Sequence, residues 1–128
     1  MRYAVLALSL LAGCATTYQS PAPVEAPPAP PPPAVKENVA IAGLMDSARS
    51  DAAAGRLGSA AATLERALRI EPRNPRLWHE LAKVRLRQAD YTQAESLAAR
   101  SNTYAGGDAE LRSANQKIIA DARAARGR

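Results

Sequence analysis

The chain's 128 residues carry 17 lysines and arginines against 12 aspartates and glutamates, a formal charge of +5, and suffice for one small folded domain beside any leader or linker. A single cysteine excludes an internal disulfide, and a single histidine excludes a histidine metal cluster. The basic balance invites nucleic acid as a partner, yet no aromatic-basic pattern or known reader motif accompanies it.

The first element is a leader. In "MRYAVLALSLLAG", Arg2 is a charged start, Tyr3 to Ala12 are apolar except for Ser9, and small residues follow. That is the architecture of an export signal. The apolar run is roughly half the ~20 residues that a spanning helix needs. Its end, Leu11-Ala12-Gly13-Cys14, resembles the lipobox of bacterial lipoproteins. The resemblance implies cleavage after residue 13, a diacylglycerol thioether on Cys14 and acylation of the new amino terminus. The alternatives are an ordinary secretory signal with an incidental cysteine, or a buried start that is no signal at all. Two or more acyl chains hold firmly to a bilayer where one does not, so such a Cys14 is a durable anchor. In Gram-negative lipoproteins an aspartate after that cysteine commonly retains the protein at the inner membrane. Ala15 stands there instead, which by the same resemblance implies the outer membrane with the domain facing the periplasm, provided that the host is Gram-negative. Loss of residues 1–13 removes Arg2 and leaves 16 basic against 12 acidic side chains, a charge of +4.

Residues 14–37 follow as a tether. Between 15 and 35, "ATTYQSPAPVEAPPAPPPPAV" holds eight of the ten prolines and a single charge, Glu25. Proline lacks the donor that a helix or inner strand requires, and the stretch has little to bury. A solvated, disordered spacer of largely polyproline-II character is expected, with a reach of roughly 65 Å at about 3.1 Å per residue. Its PxxP patterns could also serve a proline-reading module; the spacer is the simpler reading.

Residues 38–128 change to alanine, arginine and leucine with helical periodicity, and they repeat at 34 residues. Leu44 aligns with Trp78, Ala48 with Ala82, Gly55 with Ala89, Leu57 with Tyr91, Ala60 with Ala94, and Leu64 with Ala98. The second unit, "NPRLWHELAKVRLRQADYTQAESLAARS", resembles a tetratricopeptide repeat: Trp78, Leu81, Ala82, Asp90, Tyr91, Ala94 and Ala98 stand at signature positions, and Pro72 closes the preceding unit. The first unit matches through Leu44, Ala48, Gly55, Ala60, Leu64 and Ala67. It departs at Ser47, as the second does at Ser101. The implied fold is all-α: a right-handed solenoid of two repeats, 41–74 and 75–108, closed by a capping helix over 109–126.

Local chemistry agrees independently. Asn74-Pro75 predicts a helix start, with Asn74 as the cap and proline in the first turn. Trp78, Leu81, Ala82 and Arg85 share one face of that helix. Thr92-Gln93-Ala94-Glu95 reads as a capping box opening the next, whose stripe of Ala94, Leu97, Ala98 and Ser101 permits close packing. Gly106-Gly107 predicts its end, and Asp108 caps a fifth helix with Leu111, Ala114, Ile118 and Ala122 on one side. Trp78 is expected in the core between paired helices, where truncation costs on the order of 3–5 kcal/mol.

No catalytic constellation emerges. No strand-to-helix elbow presents Ser47 or Ser59, no phosphate-cradling glycine pattern occurs, and the carboxylates of Asp46 and Asp51 read as solvated helix surface. The chain reads as a non-enzyme without metal or cofactor beyond the covalent lipid. Binding is the better-supported class. In tetratricopeptide proteins the concave groove is lined by the first helix of each repeat. The resemblance places there Ala42, Met45, Arg49, Ala52 and Ala53, then Arg76, His79, Lys83, Leu86 and Arg87. Spacing alone also puts Arg76, His79, Lys83 and Arg87 on one face, suited to a carboxylate-bearing partner; a solvated charged face is the alternative. The clamp for chaperone C-termini is not matched, because Met45, Arg49 and Glu80 replace its lysine and asparagines. The expected function is an anchored adaptor or scaffold in the cell envelope, resembling pilotins or scaffolds of peptidoglycan enzymes, that docks an acidic protein segment. The alternative is a structural tether whose basic domain associates with the cell wall.

Overall fold

A computed structural model describes residues 38–127. The leader, Cys14 and the proline-rich segment lie outside those residues. Five helices follow in order: α1 Val39–Ala53, α2 Leu57–Ile70, α3 Pro75–Arg87, α4 Tyr91–Tyr104 and α5 Ala109–Arg126. Among the described residues there is no strand, and no helix is long and apolar enough to cross a membrane.

Four of the five helices start on a side-chain cap. Asn38 and Asn74 cap α1 and α3, their side chains accepting from the Ala40 and Arg76 amides at 3.2 and 3.0 Å. Asp108 caps α5 through the Leu111 amide at 2.9 Å. The start of α4 differs from the expected capping box. Asp90 is the cap, accepting from the Gln93 amide at 3.2 Å, so Thr92 already lies inside the helix. Glu95, freed from capping, pairs instead with Arg123 at 2.7 Å and Arg126 at 3.3 Å on α5.

The two hairpins, α1/α2 and α3/α4, turn in the same way. After α1, Gly55 takes φ 77° while the Arg56 amide bonds back to the Asp51 carbonyl at 2.8 Å. After α3, the Asp90 amide bonds to the Arg85 carbonyl at 2.9 Å, and the residue forced left-handed is Ala89, at φ 61°. Both are helix ends in which a left-handed residue lets the chain reverse. Glycine adopts that conformation freely, and alanine does so under strain.

Packing runs along the chain: α1 on α2, α3 on α2 and α4, and α5 on α4, with lesser contacts of α1 and α5 on α3. Two apolar clusters result. The first joins Ile41, Met45, Ala48, Leu64, Leu68, Leu77, Leu81 and Val84; the second joins Ala82, Ala94, Ala98, Ile118, Ile119 and Ala122. Fully buried alanines at 48, 60, 67, 82, 94 and 98 let backbones approach closely, which is how a chain with 4% aromatic residues fills its interior. The expectation for Trp78 needs correction. Leu77 is the fully buried residue of that turn, whereas Trp78 is half-buried, packing against the first cluster with its indole Nε1 donating to the Pro72 carbonyl at 2.8 Å. Of the other repeat positions, Ala48, Ala60, Leu81, Ala82, Ala94 and Ala98 are buried, Leu44 and Tyr91 are half-buried and pack against the clusters, and Pro72 is exposed.

Candidate partner-binding groove

Between the first turns of α1 and the loop joining α2 to α3 lies an open groove of about 920 Å³. Its floor is apolar: Ile41, Ala42 and Met45 from α1 face Pro72 and Pro75 across the cleft. Helical spacing aligns Ile41 and Met45 on one side of α1, and Pro75 stands where a missing N–H costs nothing. Asn38 and Asn74, the two helix caps, sit at opposite walls.

The rim is charged. Asp46 and Arg49 come from α1, Glu71 and Arg73 from the loop, and Arg76 from α3. Glu71 is occupied, its Oε2 accepting from the Asn74 amide nitrogen at 2.8 Å. Arg49 reaches out of the groove to Glu80 on α3, donating from Nε and Nη2 to Oε1 at 3.1 and 2.9 Å, with Asp46 at 3.6 Å. Lys83 donates to the other oxygen of Glu80 at 3.0 Å. Glu80 is 9% exposed and is clamped between two cations, Lys83 from its own helix and Arg49, which ties α1 to α3. Burial pushes its carboxyl up, but the hydrogen bonds and charges of Lys83 and then Arg49 outweigh that, and it titrates below the ordinary glutamate value. Arg73 and Arg76 have no ion-pair partner among the described residues, so they are the rim's uncompensated positive charges.

The residues expected in a binding groove therefore divide. Met45, Arg49 and Arg76 line this one, together with Ala42. His79, Lys83, Leu86 and Arg87 do not. Lys83 is held by Glu80, Leu86 packs against the second cluster, and Arg87 donates to the Ala52 carbonyl at 2.7 Å, which binds the end of α3 to the end of α1. His79 belongs to a buried network between α3, α4 and α5. The two N–H groups of Asn115 Nδ2 go to Ser101 Oγ at 2.8 Å and Asn102 Oδ1 at 2.9 Å, so its Oδ1 accepts from His79 Nδ1 at 2.7 Å. Ser101 in turn donates to the Pro75 carbonyl at 2.8 Å. Of the four-residue basic stripe only Arg76 lines the groove, while Arg87, bonded to a neutral carbonyl, keeps its charge outside it. Ala52 is half-buried and Ala53 exposed, and neither lines the groove.

Two features escaped the sequence. Ile41 also lines the groove, and its signal was the apolar pair it forms with Met45. Glu80 is the electrostatic centre of the inner face; its partner Arg49 lies 31 residues away, and only the stacking of α1 on α3 joins them. Among the described residues no group of three histidines, cysteines, aspartates or glutamates gathers in a geometry able to hold a metal ion.

Comparison with known proteins agrees with this architecture. A family profile described as tetratricopeptide repeat matches residues 51–118. Among solved structures, the globular C-terminal domain of P. aeruginosa LpoP is similar, with 42% sequence identity and a TM-score of 0.68 over 69% of this chain and 83% of that one. No curated protein sequence matches the chain.

Proposed function

The chain belongs to the tetratricopeptide repeat family, and from that premise we propose that it is a lipid-anchored adaptor of the outer membrane whose groove docks an acidic segment of an envelope protein. The observation that carries this reading is the groove itself: an apolar floor of Ile41, Met45 and Pro72 beneath the unpaired guanidinium groups of Arg73 and Arg76. Such a surface rewards a segment that brings an apolar side chain to the floor and carboxylates to the rim. Membership of a repeat family and the likeness to the LpoP domain support a binding role.

The likeness to the LpoP domain, which is likewise the C-terminal part of its chain, supports an order of N-terminal attachment segment and helical reader. In this reading Cys14 carries the lipid, and the proline-rich residues let the domain work at a distance of up to roughly 65 Å from the membrane. That reach extends toward the cell wall, and an enzyme building peptidoglycan is the partner class we favour over a pilus or secretion subunit.

A crosslinked pull-down from envelope extracts tests the proposal. The wild type should capture discrete proteins, and Arg73→Glu/Arg76→Glu should lose them while keeping its circular dichroism. Retention on purified peptidoglycan with no captured protein would replace the adaptor by a wall-binding tether. The anchor has its own test: an alkyne palmitate analogue should label the wild type and leave Cys14→Ser unlabelled.

A further inference from the structure

A second surface lies between α2 and α4, two helices that do not pack directly on each other. The furrow between them, about 490 Å³, has α3 as its floor: Trp78 and Leu81 rise between Leu68 of α2 and Tyr104 of α4. It shares only Pro72 with the groove described above. The indole is held by the Pro72 carbonyl, and the Arg100 guanidinium stacks over it with its carbon 4.9 Å from the ring centroid. Tyr104 is 37% exposed at the rim.

Charge in the furrow is one-sided. Its only carboxylate, Glu65, is taken by Arg85 at 2.6 Å. Arg69 and Arg100, which also line it, have no ion-pair partner among the described residues. A tryptophan, a tyrosine and two uncompensated arginines around an apolar floor are the residue types that dominate protein interfaces. Arg100, already stacked on the ring, is orientated to receive a carboxylate at its edge without giving up the indole.

We propose that the furrow between α2 and α4, built on Arg69, Trp78, Arg100 and Tyr104, is a second docking site that takes an acidic protein segment bearing an apolar side chain. The charge imbalance selects an acidic occupant, and the apolar floor selects a side chain to fill it. Because the furrow and the groove draw their charged residues from different elements, the two can be filled together, which makes the domain a bridge between two segments rather than a holder of one.

Trp78 is the only tryptophan of the chain and sits in the site, so its emission reports occupancy directly. The full chain is titrated with a tryptophan-free synthetic peptide of glutamates flanking a central leucine, and with the matching glutamine peptide. The glutamate peptide should give a saturable change that weakens with salt, and the glutamine peptide should give none. Affinity should fall at least about tenfold in Arg69→Glu/Arg100→Glu and by a smaller factor in Arg69→Gln/Arg100→Gln. Arg73→Glu/Arg76→Glu, which disables the groove, should bind as the wild type does, so failure of the furrow and failure of the groove are told apart. The proposal is overturned by unchanged affinity in Arg69→Glu/Arg100→Glu, by loss in Arg73→Glu/Arg76→Glu instead, or by no saturable change up to about 1 mM peptide.

Discussion

Ala89 and Glu80 are the two residues whose roles depend most on neighbours in space rather than in sequence. The 34-residue period pairs Ala89 with Gly55, and the structure gives both the same left-handed turn. The alignment was legible; the strain was not, because alanine sends no signal that a helix reverses there. Ala89→Gly should raise stability by about 0.5–1 kcal/mol, the relief of left-handed strain outweighing glycine's greater freedom when unfolded, as chemical denaturation can measure. Glu80 reads in sequence as one more polar helix residue, and its place between Arg49 and Lys83 appears only when α1 and α3 stack. Its carboxyl titrates lower folded than unfolded, so the unfolded chain takes up the proton first. Its stabilisation is therefore complete above the unfolded value of about 4.3 and drains away as the pH falls through the folded value. Glu80→Gln should lose about 1–2 kcal/mol at pH 7, the cations being half-exposed and able to turn to water. The gap between wild type and variant should close in acid; a gap that persisted at pH 3 would show that packing, not charge, is at stake.

At the scale of helices, the starts at Asn74 and Asp108 were legible because a capping side chain is a local device, readable from a few adjacent residues. The start of α4 was displaced for the same reason. Both Asp90 and Thr92 are competent caps, and the choice fell to the turn set by Ala89 and to the arginines of α5 that claim Glu95. The departure of Ser101 from the repeat's usual alanine also finds its cause between elements. Ser101 and Asn115, both fully buried, form the hydrogen-bonded joint by which α5 meets α4 and the first turn of α3. Asn115→Ala should cost about 2–3 kcal/mol, because it opens a cavity and leaves Ser101 and His79 without their partner. Ser101→Ala/Asn115→Leu removes the need for that bond and refills the space, so it should cost less than the two single changes added together. A double-mutant cycle by thermal unfolding reads the difference.

Over the whole molecule, the 34-residue repeat made the solenoid legible, since a period reports stacking before any contact is known. The binding surface was less so. Spacing correctly gathered Arg76, His79, Lys83 and Arg87 on one helix, but stacking then spent three of them on Glu80, Asn115 and Ala52, contacts that no single helix reveals. What stacking builds is a chain of neighbours: α5 touches α4 and α3, and neither α1 nor α2. The two clusters share only Leu97 of α4 among their flanking residues, and α3 contributes core residues to both, so damage at one end reaches the other through α3 and α4. In a nearest-neighbour array stability is a sum of local terms, and a lesion is felt most by the helices that touch it. Ile119→Ala, in the second cluster, should cost about 2–5 kcal/mol there, and native-state hydrogen exchange should show α5 and α4 opening far more readily while α1 and α2 keep most of their protection. Leu64→Ala, in the first cluster, should reverse the pattern, exposing α1 and α2 and sparing α5. Equal loss of protection in all five helices for both variants would mean that so short an array unfolds as one unit, and the nearest-neighbour description would fail.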